Sequence, residues 1–308
     1  MGNLRVTYVL LFMVIFSVGC SSEDKNSVEE TIELEPSALE SAHVLQFFED
    51  PVEWILEFEE DGKPISGPNY EFSYDAQNRM TEKKIVILEG GWDFSQTWRY
   101  GYQNGLLSNL DNTSILSSDG IGWVYGEMVF NGRIVERRVF DNTQIIRYTF
   151  IDKSLGLLER FEYIDLGQST EPYHYFEFEY SDEFLLLQCK EYRTNDVGDA
   201  TLHNVFEISY DDKINPYYNA FKDYNPLIYG FFQLRQDRNS LYPLEPFLRS
   251  NMPNNVVSIL RTNQISGNTY QWDYQFTYND ENLPLTKTRI IDDQTTWDEE
   301  EYNYYEIP

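Results

Sequence analysis

Few residues of this chain have side chains suited to covalent catalysis. The 308 residues include two cysteines, Cys20 and Cys189, and three histidines, at positions 43, 174 and 203. A cysteine nucleophile needs a neighbouring base, and none of the histidines stands at the spacing of a known cysteine-protease signature. Cys189 follows an apolar, strand-like run, where a lone thiol usually packs as a small core residue. The sequence therefore predicts a core role for Cys189, with a nucleophile as the alternative.

Carboxylates are abundant, but their spacing selects neither a reaction nor a metal. Of the 52 Asp and Glu residues, the pairs Asp211-Asp212 and Asp292-Asp293 fall at predicted turns, where aspartate bonds to local backbone. The run Asp298–Glu301 lacks the alternation and the glycine of a calcium loop. No His or Cys cluster indicates zinc, and the glycine motifs of nucleotide-binding folds are absent from the sequence. We therefore expect no metal ion, no cofactor and no catalytic residue.

Aromatic side chains are the remaining candidates for a site, because their rings can stack on sugars. The chain has 6 Trp, 24 Tyr and 20 Phe. Trp92, Trp98 and Trp123 stand near predicted strand ends or loops, which makes them the candidate ligand-binding residues for a glycan. The alternative is that these rings form the core, as they do in any β protein.

The start of the chain has the pattern of an export signal. Arg5 precedes an apolar run from Val6 to Val18, which is shorter than the ~20 residues that span a bilayer. The small residue Gly19 stands directly before Cys20. This segment resembles bacterial lipoprotein signal peptides, and the resemblance implies that residues 1–19 are removed and that the Cys20 thiol carries lipid. A plain secretory signal cut nearby is the alternative.

The charge of the chain limits its partners. The formal net charge of −29 repels phosphate backbones, so nucleic acid is not an expected partner. Residues 20–43 are polar and acidic and contain no aromatic residue, which predicts a flexible tether. Their acidic, serine-containing start resembles the surface-export signals of Bacteroidota lipoproteins.

From residue 44 onward the chain repeats one phrase, in which alternating aromatic residues lead into a turn and a shorter apolar strand. The aromatic parts of the copies end at Tyr74, Tyr102, Phe130, Tyr180, Tyr210 and Tyr278. Alternation with period two places the rings on one sheet face and the polar residues on the other. The dipeptides Asn104-Gly105 and Asn131-Gly132 accept the positive φ of tight hairpins, and Asn78 does so less readily. The sequence therefore predicts an all-β fold, an antiparallel meander of repeated hairpins curled into a barrel-like or strongly bent sheet.

The phrase Tyr74-Asp75-Ala-Gln-Asn78-Arg79-Met80 resembles the YD repeats of Rhs-type proteins, whose unit is similar to Tyr-Asp-x-x-Gly-Arg-Leu. The chain has room for far fewer repeats than the closed Rhs shells contain. Over residues 70–290 it is more similar to the small YD-repeat-like surface lipoproteins of Bacteroidota, a group largely without assigned function. That resemblance implies a curved antiparallel sheet of porin-like appearance and specifies no activity.

One segment, residues 215–253, lacks the repeated aromatic alternation. Five prolines interrupt residues 215–253, and proline prevents long regular ladders. We expect an irregular insert with one or two short helical turns. It serves either as a plug that covers the core or as a place for a ligand.

Together these observations predict a signal peptide over 1–19, an acidic tether over 20–43 and a single β-rich YD-repeat-like domain over 44–308. The predicted protein is exported and lipid-anchored in the cell envelope, at the outer membrane or cell surface, with a non-enzymatic binding or scaffolding role. Its expected partners are the membrane, through the lipid on Cys20, and a glycan or a protein. The alternative is an extracellular glycan-binding protein or a hydrolase acting on polysaccharide, because sequence does not show whether two carboxylates meet across a cleft.

Overall fold

A computed structural model of the protein describes residues 38–46, 52–60, 63–67, 70–89, 92–103, 106–116, 121–124, 128–139, 143–153, 155–195, 198–221, 244–291 and 295–305. All of them belong to one compact unit, residues 36–308. The predicted signal peptide and Cys20 lie outside the described residues.

The described chain consists of 19 strands and two short helices. The strands are β1 Leu39–Gln46, β2 Val52–Phe58, β3 Pro64–Gly67, β4 Tyr70–Tyr74, β5 Met80–Glu89, β6 Trp92–Gln103, β7 Leu106–Leu116, β8 Ile121–Val124, β9 Met128–Asn131, β10 Ile134–Val139, β11 Gln144–Asp152, β12 Leu157–Asp165, β13 Pro172–Tyr180, β14 Leu186–Thr194, β15 Ala200–Ile214, β16 Asn254–Asn263, β17 Thr269–Tyr278, β18 Pro284–Ile291 and β19 Thr295–Tyr304. The helices are α1 Pro216–Phe221 and α2 Leu244–Asn251. None of the helices in the described ranges has the length and apolar content of a membrane span.

All of the described ladders are antiparallel, and they join strands that are neighbours in sequence, with one exception. Strand β1 pairs with β2 on one side and with the last strand, β19, on the other. A long meander can bring its first and last strands together only if the sheet bends back on itself. The ladders described run from β8 through β1 and β19 to β9, and none of them joins β8 to β9. The prediction of an all-β, strongly bent antiparallel meander is confirmed.

Strand β1 begins at Leu39, within the segment predicted to be a tether. The register pairs Leu39 with Tyr304 and Ala42 with both Leu56 and Tyr302. One partner of β1, the strand β19, lies at the far end of the chain, so local composition gives little sign of this strand. The sheet therefore begins before the predicted domain boundary at residue 44.

Three of the turns that follow aromatic phrases share one hydrogen-bond pattern. In the first, the Asp75 carboxylate accepts from the backbone N–H of Gln77 at 2.9 Å and of Arg79 at 3.0 Å. Asn78 takes the left-handed conformation, with φ of 57°. The same acceptor role belongs to Ser181 and Asn279, and the same positive φ to Phe184 and Asn282. In these three turns, the polar residue after the aromatic phrase thus satisfies backbone N–H groups of the turn.

The tyrosine that ends a phrase also binds the preceding hairpin. The Tyr102 hydroxyl donates to the Met80 carbonyl, at the start of β5, over 2.7 Å. The equivalent bonds run from Tyr74 to Pro64, from Tyr210 to Leu186 and from Tyr304 to Pro284, at 2.7 to 2.8 Å. Each such bond contributes about 1 kcal/mol. The repeats are therefore tied to one another by side chains as well as by backbone ladders.

The two sheet faces differ as the alternation predicts. One hydrophobic cluster collects buried side chains from strands along the sheet and from both helices. Within it, Phe178 of β13 packs against Phe247 of α2 with ring centroids 5.7 Å apart. On the opposite face, Arg147 pairs with Glu136 at 2.8 Å and with Glu162 at 3.6 Å across neighbouring strands. Most rings of the phrases thus pack in the core, and ion pairs between neighbouring strands lie on the other face.

The predicted insert contains both helices. Asn215 caps α1 by accepting from the Tyr217 N–H at 3.1 Å, and Pro216 occupies the first helical position, where no N–H partner is needed. The Asn215 amide donates to the carbonyls of Arg249 at 2.7 Å and Met252 at 2.8 Å. One asparagine therefore joins the two helices, and the prediction of short helical turns in this segment is confirmed.

Candidate functional site

The predicted site residues do not come together in the described chain. Trp98 is 8% exposed and belongs to the core cluster, with Lys83 Nζ 5.6 Å from its ring centroid. Its ring is part of the core and does not offer a face to a sugar, contrary to the ligand-binding prediction for Trp98. Trp92 and Trp123 lie in β6 and β8, but their side chains are outside the described part of the structure, as is Cys20.

Cys189 has the core role that the sequence predicts. Its side chain is 2% exposed and packs in the hydrophobic cluster. Burial, reinforced by the charge of Glu191, raises the pKa of the Cys189 thiol well above its usual range. A neutral, enclosed thiol is a poor nucleophile.

A polar cluster that the sequence analysis missed lies on the core face of β13 to β16. It consists of His174, Glu191, Arg193, Asn204, Arg261 and Asn263 and is called the Glu191 cluster below. Alternation explains its position, because Glu191 follows the core residue Cys189 by two positions. Asn204 likewise precedes the core residue Phe206 by two. The same period-two pattern would have found these residues had it been applied to the polar side chains.

Glu191 is the centre of this cluster. Its Oε1 lies 2.9 Å from His174 Nε2 and accepts from Arg193 Nη2 at 3.0 Å and Nε at 3.1 Å. Its Oε2 accepts from the Asn204 amide. Burial favours the neutral acid, but the hydrogen bonds from His174 and Asn204 and the charge nearby outweigh it and lower the pKa of Glu191 to about 2. Glu191 is therefore ionised at neutral pH.

A second layer of contacts fixes the other arginine. The side-chain oxygen Oδ1 of the buried Asn204 accepts from Arg261 Nε at 3.0 Å and from Asn263 Nδ2 at 3.2 Å. The Arg261 guanidinium lies 5.6 Å from the ring centroid of Tyr270, which is 49% exposed. The side chain of Arg193 is 46% exposed. Both guanidinium groups are thus held on one side by buried partners while the cluster opens toward solvent.

The cluster lies toward the end of the sheet opposite the helices. Asn263 Oδ1 also accepts from the N–H groups of Ile265 and Ser266, in the turn between β16 and β17. The helices connect the other ends of β15 and β16. His203 lies beside the cluster, where burial and the charge of Arg193 lower its pKa.

A second buried carboxylate, Glu300 of β19, lies beneath the helices. Its partners are Tyr217, Arg249, Lys287 and Tyr302, and these five residues are called the Glu300 cluster. Oε1 accepts from Arg249 and from Lys287 Nζ at 3.1 Å. Oε2 accepts from the hydroxyls of Tyr217 at 3.0 Å and Tyr302 at 2.8 Å. Burial raises the pKa of Glu300, but the charges of Arg249 and Lys287 outweigh this and lower it to about 2.

A cavity of about 30 Å³ adjoins the Glu300 cluster, with Asn215, Tyr274 and Phe276 among its lining residues. That volume holds about one or two water molecules, whereas small-molecule sites measure roughly 300 Å³ or more. This favours a plug that covers the core over a ligand site beneath the insert. Among the described residues, no group of three or more His, Cys, Asp or Glu side chains is placed to hold a metal ion.

Comparison with known proteins leaves the family open. No family model matches the sequence, and no curated protein matches it. A porin-like protein from Bacteroides vulgatus is 11% identical, with 88% of this chain and 100% of that chain covered and a TM-score of 0.43. A porin-like protein from Bacteroides uniformis is 11% identical, with 88% and 98% covered and a TM-score of 0.44. The Tc holotoxin pore of Photorhabdus luminescens is 9% identical, with 84% and 15% covered and a TM-score of 0.14. With TM-scores below 0.5, the fold rests on the strand pairing described above.

Proposed function

We propose that this protein is an exported lipoprotein of the cell envelope, anchored through Cys20 at the outer membrane or cell surface. Its β domain binds or scaffolds a partner without catalysing a reaction. The anchor is supported by the basic start, the short apolar run and the small residue before Cys20. The scaffold role is supported by the tight turns and tyrosine bonds that stiffen the repeated hairpins.

The observation that most supports a non-enzymatic role is the ionisation state of Glu191 and Glu300, the buried carboxylates of the two clusters. A general acid or base works best when its pKa lies near the operating pH. The pKa values of Glu191 and Glu300 are instead lowered to about 2 by the partners that surround them. Both groups act as permanent counter-ions at neutral pH, and the buried thiol of Cys189 is held neutral. The chemistry left to these groups is charge and hydrogen bonding.

A glycan is the partner that one specific observation favours. Tyr270 is a large aromatic residue with half of its surface exposed, and a guanidinium group lies over its ring. Exposed aromatic rings beside hydrogen-bond donors are the usual elements of a sugar-binding surface.

The lipid anchor is tested by Cys20→Ser in the full-length gene, expressed in a bacterium with lipoprotein processing. The variant is expected to lose labelling by radioactive palmitate and to leave the membrane fraction or to remain unprocessed. The matched control is Cys189→Ser, which removes the other thiol of the chain and is expected to label like the wild type. Palmitate labelling of the Cys20→Ser variant at the wild-type level would refute the anchor.

A further inference from the structure

We propose that the Glu191 cluster binds the carboxylate of a small acidic sugar through the guanidinium groups of Arg193 and Arg261. Tyr270 supplies the surface for the sugar ring. This assignment rests on the proposed binding role and names its ligand class.

The arginines are positioned before any ligand arrives. Glu191 holds Arg193 through Nε and Nη2, and Asn204 holds Arg261 through Nε. Within the described part of the chain, Arg193 Nη1 and both Nη atoms of Arg261 make no hydrogen bond to another residue. These N–H donors are suited to a carboxylate, which guanidinium groups bind with matched planar geometry. Because the buried acceptors already order both side chains, little conformational entropy is lost on binding.

The local charge also favours an anion. Arg193 and Arg261 bring two permanent positive charges to the cluster, and Glu191 neutralises one of them. This surplus stands in a chain with a net charge of −29. The overall charge repels long polyanions at a distance, so the site suits a small ligand with a single negative group.

Tyr270 distinguishes a sugar acid from a bare anion. Arg261 and Tyr270 are direct cross-strand partners in the β16–β17 ladder, so a ligand on the guanidinium lies beside the ring. A sugar ring has apolar C–H faces that pack on an aromatic side chain. A simple carboxylate such as acetate has no such face and gains only the charge contact.

The experiment is isothermal titration calorimetry of the full-length lipoprotein in detergent with three probes: glucuronate, glucose and acetate. Glucuronate is expected to bind about tenfold or more tightly than either of the others, because it alone satisfies both parts of the site. Glucose binding as tightly as glucuronate would overturn the anion site. Acetate binding as tightly as glucuronate would overturn the sugar assignment.

Variants then locate the site. Arg261→Gln is expected to weaken glucuronate binding by about tenfold or more, and Arg261→Lys by several fold, since lysine keeps the charge but loses the planar fork. Arg99→Gln makes the same charge change at a side chain that is 56% exposed and is expected to bind within about twofold of the wild type. Thermal unfolding of each variant identifies any that fails to fold, and Tyr270→Ala then serves as a second probe of the same site.

The outcomes separate this inference from the proposed function. Unchanged glucuronate binding by a folded Arg261→Gln variant, or no binding by the wild type, would overturn the site and leave the lipid anchor standing. Chemical conversion of the bound sugar, detected by chromatography, would overturn the non-enzymatic role. Recovery of unchanged glucuronate is the expected result.

Discussion

Glu191 and Glu300 each have a pKa lowered to about 2, and they differ in what encloses them. Glu300 is 1% exposed and is surrounded by two cations and two tyrosine hydroxyls from α1, α2, β18 and β19. Glu191 is 5% exposed and bonds to His174, whose side chain is 13% exposed, and to Arg193, whose side chain is 46% exposed. In both, hydrogen bonds and nearby cations outweigh burial and keep the carboxylate ionised.

This difference in enclosure separates the Glu300 cluster, which has a structural role, from the Glu191 cluster, which is the candidate binding site. Each carboxylate oxygen of Glu300 accepts from two partners on the insert or the sheet, so the carboxylate joins α1 and α2 to β19. Glu191 instead holds Arg193 through Nε and Nη2, and the side chain of this arginine is half-exposed. The two clusters therefore differ in the exposure of their cations and not in the direction of the pKa shift.

The largest expected effect on stability is at Glu300. Glu300→Gln removes the carboxylate charge that faces the part-buried Arg249 and Lys287, and breaking a buried ion pair from one side costs about 3–5 kcal/mol. We expect the free energy of unfolding, measured by urea denaturation, to fall by that amount. Glu301→Gln makes the same charge change at the exposed neighbour and is expected to stay within about 0.5 kcal/mol of the wild type. Equal losses of stability in the two variants would refute the structural role of Glu300.

Acidic pH is expected to reduce the difference in the free energy of unfolding between the wild type and Glu300→Gln. The folded pKa of Glu300, about 2, lies below its ordinary value of 4.5. The folded state therefore binds fewer protons, and the stabilisation is complete above pH 4.5 and is lost as the pH falls toward 2. This contribution is on the order of 3 kcal/mol. Urea denaturation at pH 7, 4.5 and 3 is expected to show the difference between the two proteins constant at first and then narrowing, whereas a difference independent of pH would contradict the lowered pKa.

The smallest of these effects is expected at Glu191. Replacement by Gln removes the charge that holds Arg193, but solvent screens the half-exposed guanidinium, so we expect a loss of about 1–2 kcal/mol. The matched control is Glu207→Gln, an exposed position on β15. A loss of stability equal to that of Glu300→Gln would show that Glu191 has the same structural role as Glu300, and it would remove the contrast between the two clusters.

The local features of the fold were predictable from short sequence patterns. The aromatic alternation predicted strands, and Asn131-Gly132 predicted a tight turn in which Gly132 takes φ of 59°. Asn78 also adopts the positive φ that the sequence suggested. These features depend on steric limits within a few residues, so neighbouring sequence is enough to specify them.

Other features could not be predicted because distant segments decide them. Phe184 holds φ of 62° in a turn position where two sister turns have asparagine, and no sequence rule places phenylalanine there. Trp98 was expected near a strand end as a ligand-binding residue, but its side chain is 8% exposed and packs in the core cluster. Asp211 stands in the turn position of Asp75 and likewise accepts from the N–H two residues on, that of Lys213, at 2.9 Å, but its other oxygen accepts from the Tyr278 hydroxyl of another strand.

The sequence by itself determined the alternation of faces, the hairpin turns and the position of the helical insert. These follow from the two-residue period of a strand and from the conformations that Asn, Gly and Pro allow. Only the tertiary structure decided that β1 pairs with β19 and that Glu191 and Glu300 meet their cations. Those contacts join residues far apart in the chain, and their stability comes from desolvation and charge that arise only when the sheet bends around a common core.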